Sequence, residues 1–137
     1  MLIFIAAAVL LPSLFTETFS SQPYKSATEV FKALIQLTDA EFEQLYADLR
    51  EYQLGSTDFK SNKTVNDKLE TMRNKVSKLM MPAQNFVKKV ASSAGKEWRK
   101  EGLQIESVQK AFDELRKDKN ACENLYSIYP QLKLGKC

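Results

Sequence analysis

The spacing of the apolar residues constrains this chain more than any other feature. Val65, Leu69, Met72, Val76 and Leu79 stand at offsets of 4, 7, 11 and 14 from the first. That spacing lines them along one face of a helix and scatters them over both faces of a strand. The pattern recurs along the chain. Val30, Phe31, Leu34 and Ile35 form one stripe, and Phe42, Leu45, Tyr46, Leu49 and Tyr52 form the next. Ala83, Phe86, Val87, Val90, Ala94 and Trp98 line a third face, and Ile105, Val108, Phe112 and Leu115 a fourth. Leu125–Tyr129 predicts a short last helix. No alternating stretch competes with these stripes. Four glycines and four prolines in 137 residues are too few for a turn-rich sandwich or barrel. The reading is an all-α fold, a single compact bundle of five or six short amphipathic helices. It either closes over a filled core or leaves an internal hydrophobic cavity, and periodicity does not separate the two.

Local signals punctuate the stripes. Ser26-Ala27-Thr28-Glu29 and Thr38-Asp39-Ala40-Glu41 both have capping-box form, an oxygen-bearing side chain followed three residues later by Glu. Gly55 is placed to stop the second helix, and Ser56–Lys63 reads as a polar loop apart from Phe59. Pro82 suits the first turn of a helix, Gly102 closes that segment, and Pro130 ends the last one.

The N-terminus is of a different kind. Leu2–Phe15 is an uncharged, almost wholly apolar run of 14 residues. A helix of that length is too short to span a bilayer, which takes about 20 residues. It reads as the apolar core of a signal peptide over residues 1–20, with Thr18 and Ser20 as the small residues at the −3 and −1 positions of cleavage after Ser20 or at a nearby bond, and an uncleaved anchor or a buried N-terminal helix as the alternatives. No Lys or Arg precedes the run. The expectation is a secreted helical domain over 21–137. Export gives two other features meaning. Cys122 and Cys137 form an even pair that an oxidising compartment joins, unless they remain free or pair between molecules. Joined, they close a loop of about 15 residues, worth about 3 kcal/mol in the chain-entropy treatment. Asn62-Lys63-Thr64 is a glycosylation triplet in a polar loop, and an unmodified Asn62 is the alternative.

Several function classes fall away. There is no histidine, which removes His-dependent triads, HExxH zinc sites and His general bases. Two cysteines cannot form a four-thiolate zinc site, and Gly55, Gly95, Gly102 and Gly135 match no phosphate-binding loop. The expectation is therefore a non-enzyme without metal or cofactor. A net charge of +3 is compatible with transient contact with anionic membranes and far too weak for a nucleic-acid partner.

Among the apolar faces, Phe42, Leu45, Leu49, Met72, Val76, Leu79, Phe86, Val90 and Phe112 are candidates to wall a cavity for an acyl chain, because Met and Phe adapt to irregular tails. They serve equally as ordinary core. Arg73 sits at the edge of its stripe, where it either meets a fatty-acid carboxylate or pairs with Glu70 on the surface. Lys88, Lys89, Lys96, Arg99 and Lys100 form a basic strip that is either a solvated helix face or a membrane-docking one. Trp98 either caps the core or stands at a rim.

The segment Leu69-Glu70-Thr71-Met72-Arg73-Asn74-Lys75-Val76, followed by Leu79 and Pro82-Ala83-Gln84-Asn85-Phe86-Val87, resembles the nematode fatty acid and retinol-binding proteins. These carry a similar helix with an Arg-Asn pair, then a proline-alanine turn into a helix bearing Phe-Val. Thr38-Asp39-Ala40-Glu41 resembles their early Leu-Thr-acidic stretch, and Tyr129-Pro130 their C-terminal aromatic-proline element. The resemblance covers roughly residues 30–132. It implies a secreted all-helical carrier that binds fatty acids and retinol in a hydrophobic cavity, without chemistry. The chain departs from the pattern in being shorter, in its cysteine pair and in Trp98. The competing expectation is a secreted helical factor that binds protein instead, such as an SXP-type antigen or a host-interaction protein.

Overall fold

A computed structural model describes residues 24–53 and 63–137. The expected signal segment, Gly55, Phe59 and Asn62 lie outside the described residues. Six helices follow in order: α1 (Ala27–Ile35), α2 (Asp39–Gln53), α3 (Lys63–Ser77), α4 (Met81–Trp98), α5 (Ile105–Arg116) and α6 (Lys119–Ile128). There is no strand among the described residues, so the all-α expectation holds.

The caps explain where the helices begin. The Ser26 side chain accepts from the Glu29 backbone N–H at 3.1 Å and starts α1. Glu29 does not complete the reciprocal bond to Ser26 but accepts from the Lys25 N–H, 2.6 Å away. At α2 the box is complete: Thr38 Oγ1 accepts from the Glu41 N–H at 3.2 Å, and Glu41 accepts from the Thr38 N–H at 3.0 Å. Pro82 occupies the first turn of α4. Two ends differ from the sequence reading. Helix α4 stops at Trp98, short of Gly102, because Lys100 takes a left-handed φ of 64° and reverses the chain first. Helix α6 begins at Lys119, well before Leu125, because Asp118 caps it by accepting from the Ala121 N–H at 3.1 Å.

Helix α4 is the centre. It packs on α1, α3, α5 and α6 and buries Ala83, Phe86, Val87, Val90, Ser93, Ala94 and Gly95. On one side Phe86 meets Phe112 of α5 edge to face, with ring centroids 5.9 Å apart. The C-terminal tail closes this side. Cys122 and Cys137 are disulfide-bonded with their Cα atoms 5.7 Å apart, and Leu132 and Leu134 are buried. Gly135 holds a φ of 134°, a conformation that side chains rarely adopt, and it packs beside the Phe112 ring.

On the other side one carboxylate joins three elements. Glu97, near the end of α4, accepts from the backbone N–H groups of Ala27 and Thr28 at 2.8 Å each and from the Thr28 hydroxyl at 2.6 Å. It also accepts from the Gln104 N–H at 2.8 Å, at the entry to α5. The first turn of a helix presents unpaired N–H groups and a partial positive charge, so an anion is favoured there. Burial alone raises the Glu97 pKa, but the Thr28 hydroxyl and the three N–H donors outweigh it, and the net direction is downward from 4.5. A lowered folded-state pKa means this stabilisation is complete above about pH 4.5 and is lost as pH falls through the folded value. Glu97→Gln keeps the shape but turns an amide donor toward these donors. It is expected to cost about 2–3 kcal/mol at pH 7 by urea denaturation, while the difference from the parent narrows in acid. Glu101→Gln, on the exposed turn, is expected to stay within about 0.5 kcal/mol.

Candidate functional site

Helix α2 keeps its backbone away from α1 and α4, and its side chains bridge the gap. The stripe of α2 supplies Phe42 and Tyr46, which reach Phe31 of α1 at ring-centroid distances of 6.4 and 6.2 Å. Tyr46 packs on Phe42 at 4.7 Å and stacks on Trp98 of α4 at 5.8 Å. The Trp98 indole N–H donates to the Glu43 carboxylate at 3.1 Å. The Tyr46 hydroxyl donates to the Ala91 carbonyl at 3.2 Å. Burial pushes the Tyr46 phenol up to about 12, so it remains a donor across ordinary pH. At the base of α2, Lys68 of α3 donates to Glu41 at 2.8 Å, and this bond, with the Thr38 backbone bond, holds the Glu41 carboxyl down at about 2.

The gap under α2 is a cleft of about 1090 Å³, open to solvent. Its floor is Phe42, Tyr46, Leu49 and Trp98, and its rim carries Lys32, Arg99 and Lys100 with Asp39, Glu43 and Glu97. The rim acids are engaged: Asp39 with Lys32, Glu43 with Trp98, and Glu97 with the helix starts. Arg99 pairs through Nε with Glu101 at 2.7 Å. Lys100 has no ion pair among the described residues. A second cleft of about 390 Å³ lies beyond Tyr46, Leu49 and Arg99, which line both, and it reaches Phe31, Leu45, Leu69 and Arg73. Gly95 lies beside Tyr46 and Arg99: a Cβ there would stand 3.4 Å from both Tyr46 Cε1 and an Arg99 guanidinium nitrogen, a close van der Waals contact. A third cleft of about 260 Å³ lies between the end of α1 and α3 and includes Met72.

The expected wall residues therefore separate. Phe42 and Leu49 line the main cleft, and Leu45, Leu49 and Arg73 the second. Arg73 is exposed and pairs with Glu70 at 3.4 Å. Val76 is half-buried against the core, while Leu79, Phe86, Val90 and Phe112 are buried within it and line none of these clefts. The space is a solvent-open groove at the α2 side of α4, whereas Phe86, Val90 and Phe112 fill the interior. Tyr46, Trp98 and Arg99 are the site residues the candidate wall set left out. The signal for Trp98 was its place at the end of an apolar stripe and for Tyr46 its polar tip within one, since an aromatic with a polar tip suits a wet rim. Among the described residues no group of three or more His, Cys, Asp or Glu side chains converges as a metal site would.

This chain matches no known family model, no curated protein and no solved structure. Tyr46→Phe removes the bond to Ala91 and leaves the ring stack. It is expected to destabilise the protein by about 1 kcal/mol in urea and to remove the tyrosine that ionises near pH 12 in an absorbance titration.

Proposed function

We propose that the protein is a carrier of long-chain fatty acids that holds the acyl chain in the cleft under α2. The observation that carries this reading is the cleft itself: about 1090 Å³ over a floor of Phe42, Tyr46, Leu49 and Trp98, with Lys32, Arg99 and Lys100 among the charges of both signs at its rim. Small-ligand sites commonly span roughly 300–1,000 Å³ and combine an apolar wall with a few polar groups. A hydrocarbon tail gains about 0.8 kcal/mol for each CH₂ it buries. An open groove sets no sharp limit on tail length, so the carrier accepts a range of chains, with retinol as a further ligand. The carboxylate stays at the rim, because burying it unpaired is costly.

The resemblance over residues 30–132 supports the same ligand class and a role by binding, without catalysis. Export is supported by the apolar run Leu2–Phe15 and by the Cys122–Cys137 disulfide, a bond that persists in oxidising compartments. Exposed Lys88 and Lys89 on α4 suit brief contact with an anionic membrane during delivery.

The test is displacement of a fluorescent fatty acid from the delipidated chain by oleate, with retinol as a parallel competitor. Saturable uptake at one site per chain is expected, with a matching change in the emission of Trp98, the one tryptophan of the chain. Absence of saturable uptake by folded, delipidated protein would leave protein binding as the better reading.

A further inference from the structure

The turn that ends α4 is built at a conformational cost. The Lys100 N–H donates to the Glu97 carbonyl at 3.0 Å and the Glu101 N–H to the Lys96 carbonyl at 3.0 Å, the paired bonds of a Schellman motif. The residue that takes the left-handed conformation in this motif is most often glycine, because a Cβ is disfavoured there. Here it is Lys100, with φ 64°. Strain of this kind does not by itself mark a site, since Gln36 at the end of α1 has φ 60°. What distinguishes Lys100 is its surroundings. It lines the main cleft, and its ammonium has no ion pair among the described residues.

Its neighbour Arg99 lines both the main and the second cleft. Glu101 occupies Nε of Arg99, and a terminal guanidinium nitrogen lies beside Gly95 and Tyr46. Of the acids around the same rim, Asp39 is paired with Lys32, while Glu43 and Glu97 keep their charge but are held in place by Trp98 and the helix starts. The chain thus places two adjacent cations at the mouth of an aromatic-floored groove, and none of these rim acids pairs with either of them. The carbonyl end of α4 adds nothing attractive for an anion, so the side chains must supply the recognition.

We propose that Arg99 and Lys100 form the anion-binding subsite of the cleft, holding the carboxylate of an amphiphile whose tail lies over Tyr46, Phe42 and Leu49. This deepens the carrier reading and rests on it. It assigns the head group to the end of α4 and away from Arg73, whose guanidinium is exposed and faces the smaller cleft. It also gives Lys100 a reason to occupy a position where glycine is more comfortable.

The experiment uses the full delipidated chain and two probes of equal tail length, oleate and oleyl alcohol, each displacing the same neutral fluorescent tail analogue. Parent, Lys100→Gly, Arg99→Gln/Lys100→Gly and Lys88→Gln/Lys89→Gln are compared, the last removing two cations that line none of the clefts described. The double cleft variant is expected to lose about tenfold in oleate affinity and less than twofold in oleyl alcohol affinity. The Lys88/Lys89 variant is expected to keep both. Lys100→Gly relieves the left-handed φ and is expected to hold or raise Tm while weakening oleate, so that lost affinity is not lost folding. Equal losses for acid and alcohol, or equal oleate losses in the two double variants, would overturn the subsite and leave the carrier reading standing. Binding of neither probe by the parent would overturn both.

Discussion

The carboxylate of Glu97 holds the site side of this structure together. Four donors from two helix starts converge on it. Without it, the first turn of α1 and the entry to α5 would present N–H groups with no intrahelical partner at a partly buried junction. By drawing Ala27 and Thr28 to the end of α4, it fixes where α1 lies on the central helix. It also decides where Trp98 and Arg99 emerge, since they are the next two residues. The floor and rim of the main cleft are thus set by the same contact that anchors the bundle.

Helix α2 follows a different rule. Its tie to the bundle is a set of side chains: Phe42 and Leu45 buried in the core, the Tyr46 ring between Phe31 and Trp98, its hydroxyl on Ala91, and the Lys68–Glu41 pair. Elements held by few close contacts separate at lower free energy than packed core helices. That makes α2 the helix whose movement costs least, and it is the helix that supplies Phe42, Tyr46 and Leu49 to the cleft. In the proposed carrier role this division has a use: the far side, with Phe86, Phe112 and the disulfide-tied tail, would supply stability, while the α2 side would adapt to a tail.

How much was legible in the sequence depended on distance along the chain. Helical stripes and caps are local, so the all-α bundle, the Thr38–Glu41 box and the Pro82 start could be read directly. The start of α6 was also local, written in Asp118, but Lys119 and Asn120 offered no apolar stripe to draw attention to it. The disulfide was open to alternatives because pairing depends on spatial approach. Glu97 was unreadable as a cap, because its partners Ala27 and Thr28 lie about seventy residues away. The wall residues divided for a related reason. Phe86 and Phe42 have the same chemistry and periodicity and both are buried, and only packing tells that α5 covers Phe86 while Phe42 also borders the main cleft. Arg73 and Arg99 both flank apolar stripes, yet Arg99 is the one the end of α4 delivers to the main cleft.

The central claim is about where a ligand sits, and backbone amide chemical shifts measured during titration of isotope-labelled protein with oleate test it most directly. Saturable shifts should cluster on Phe42, Tyr46, Leu49, Trp98, Arg99 and Lys100, with Phe86, Val90 and Phe112 nearly unmoved. Shifts concentrated on Phe86, Val90 and Phe112, with the α2 face silent, would place the ligand in the interior and contradict the account.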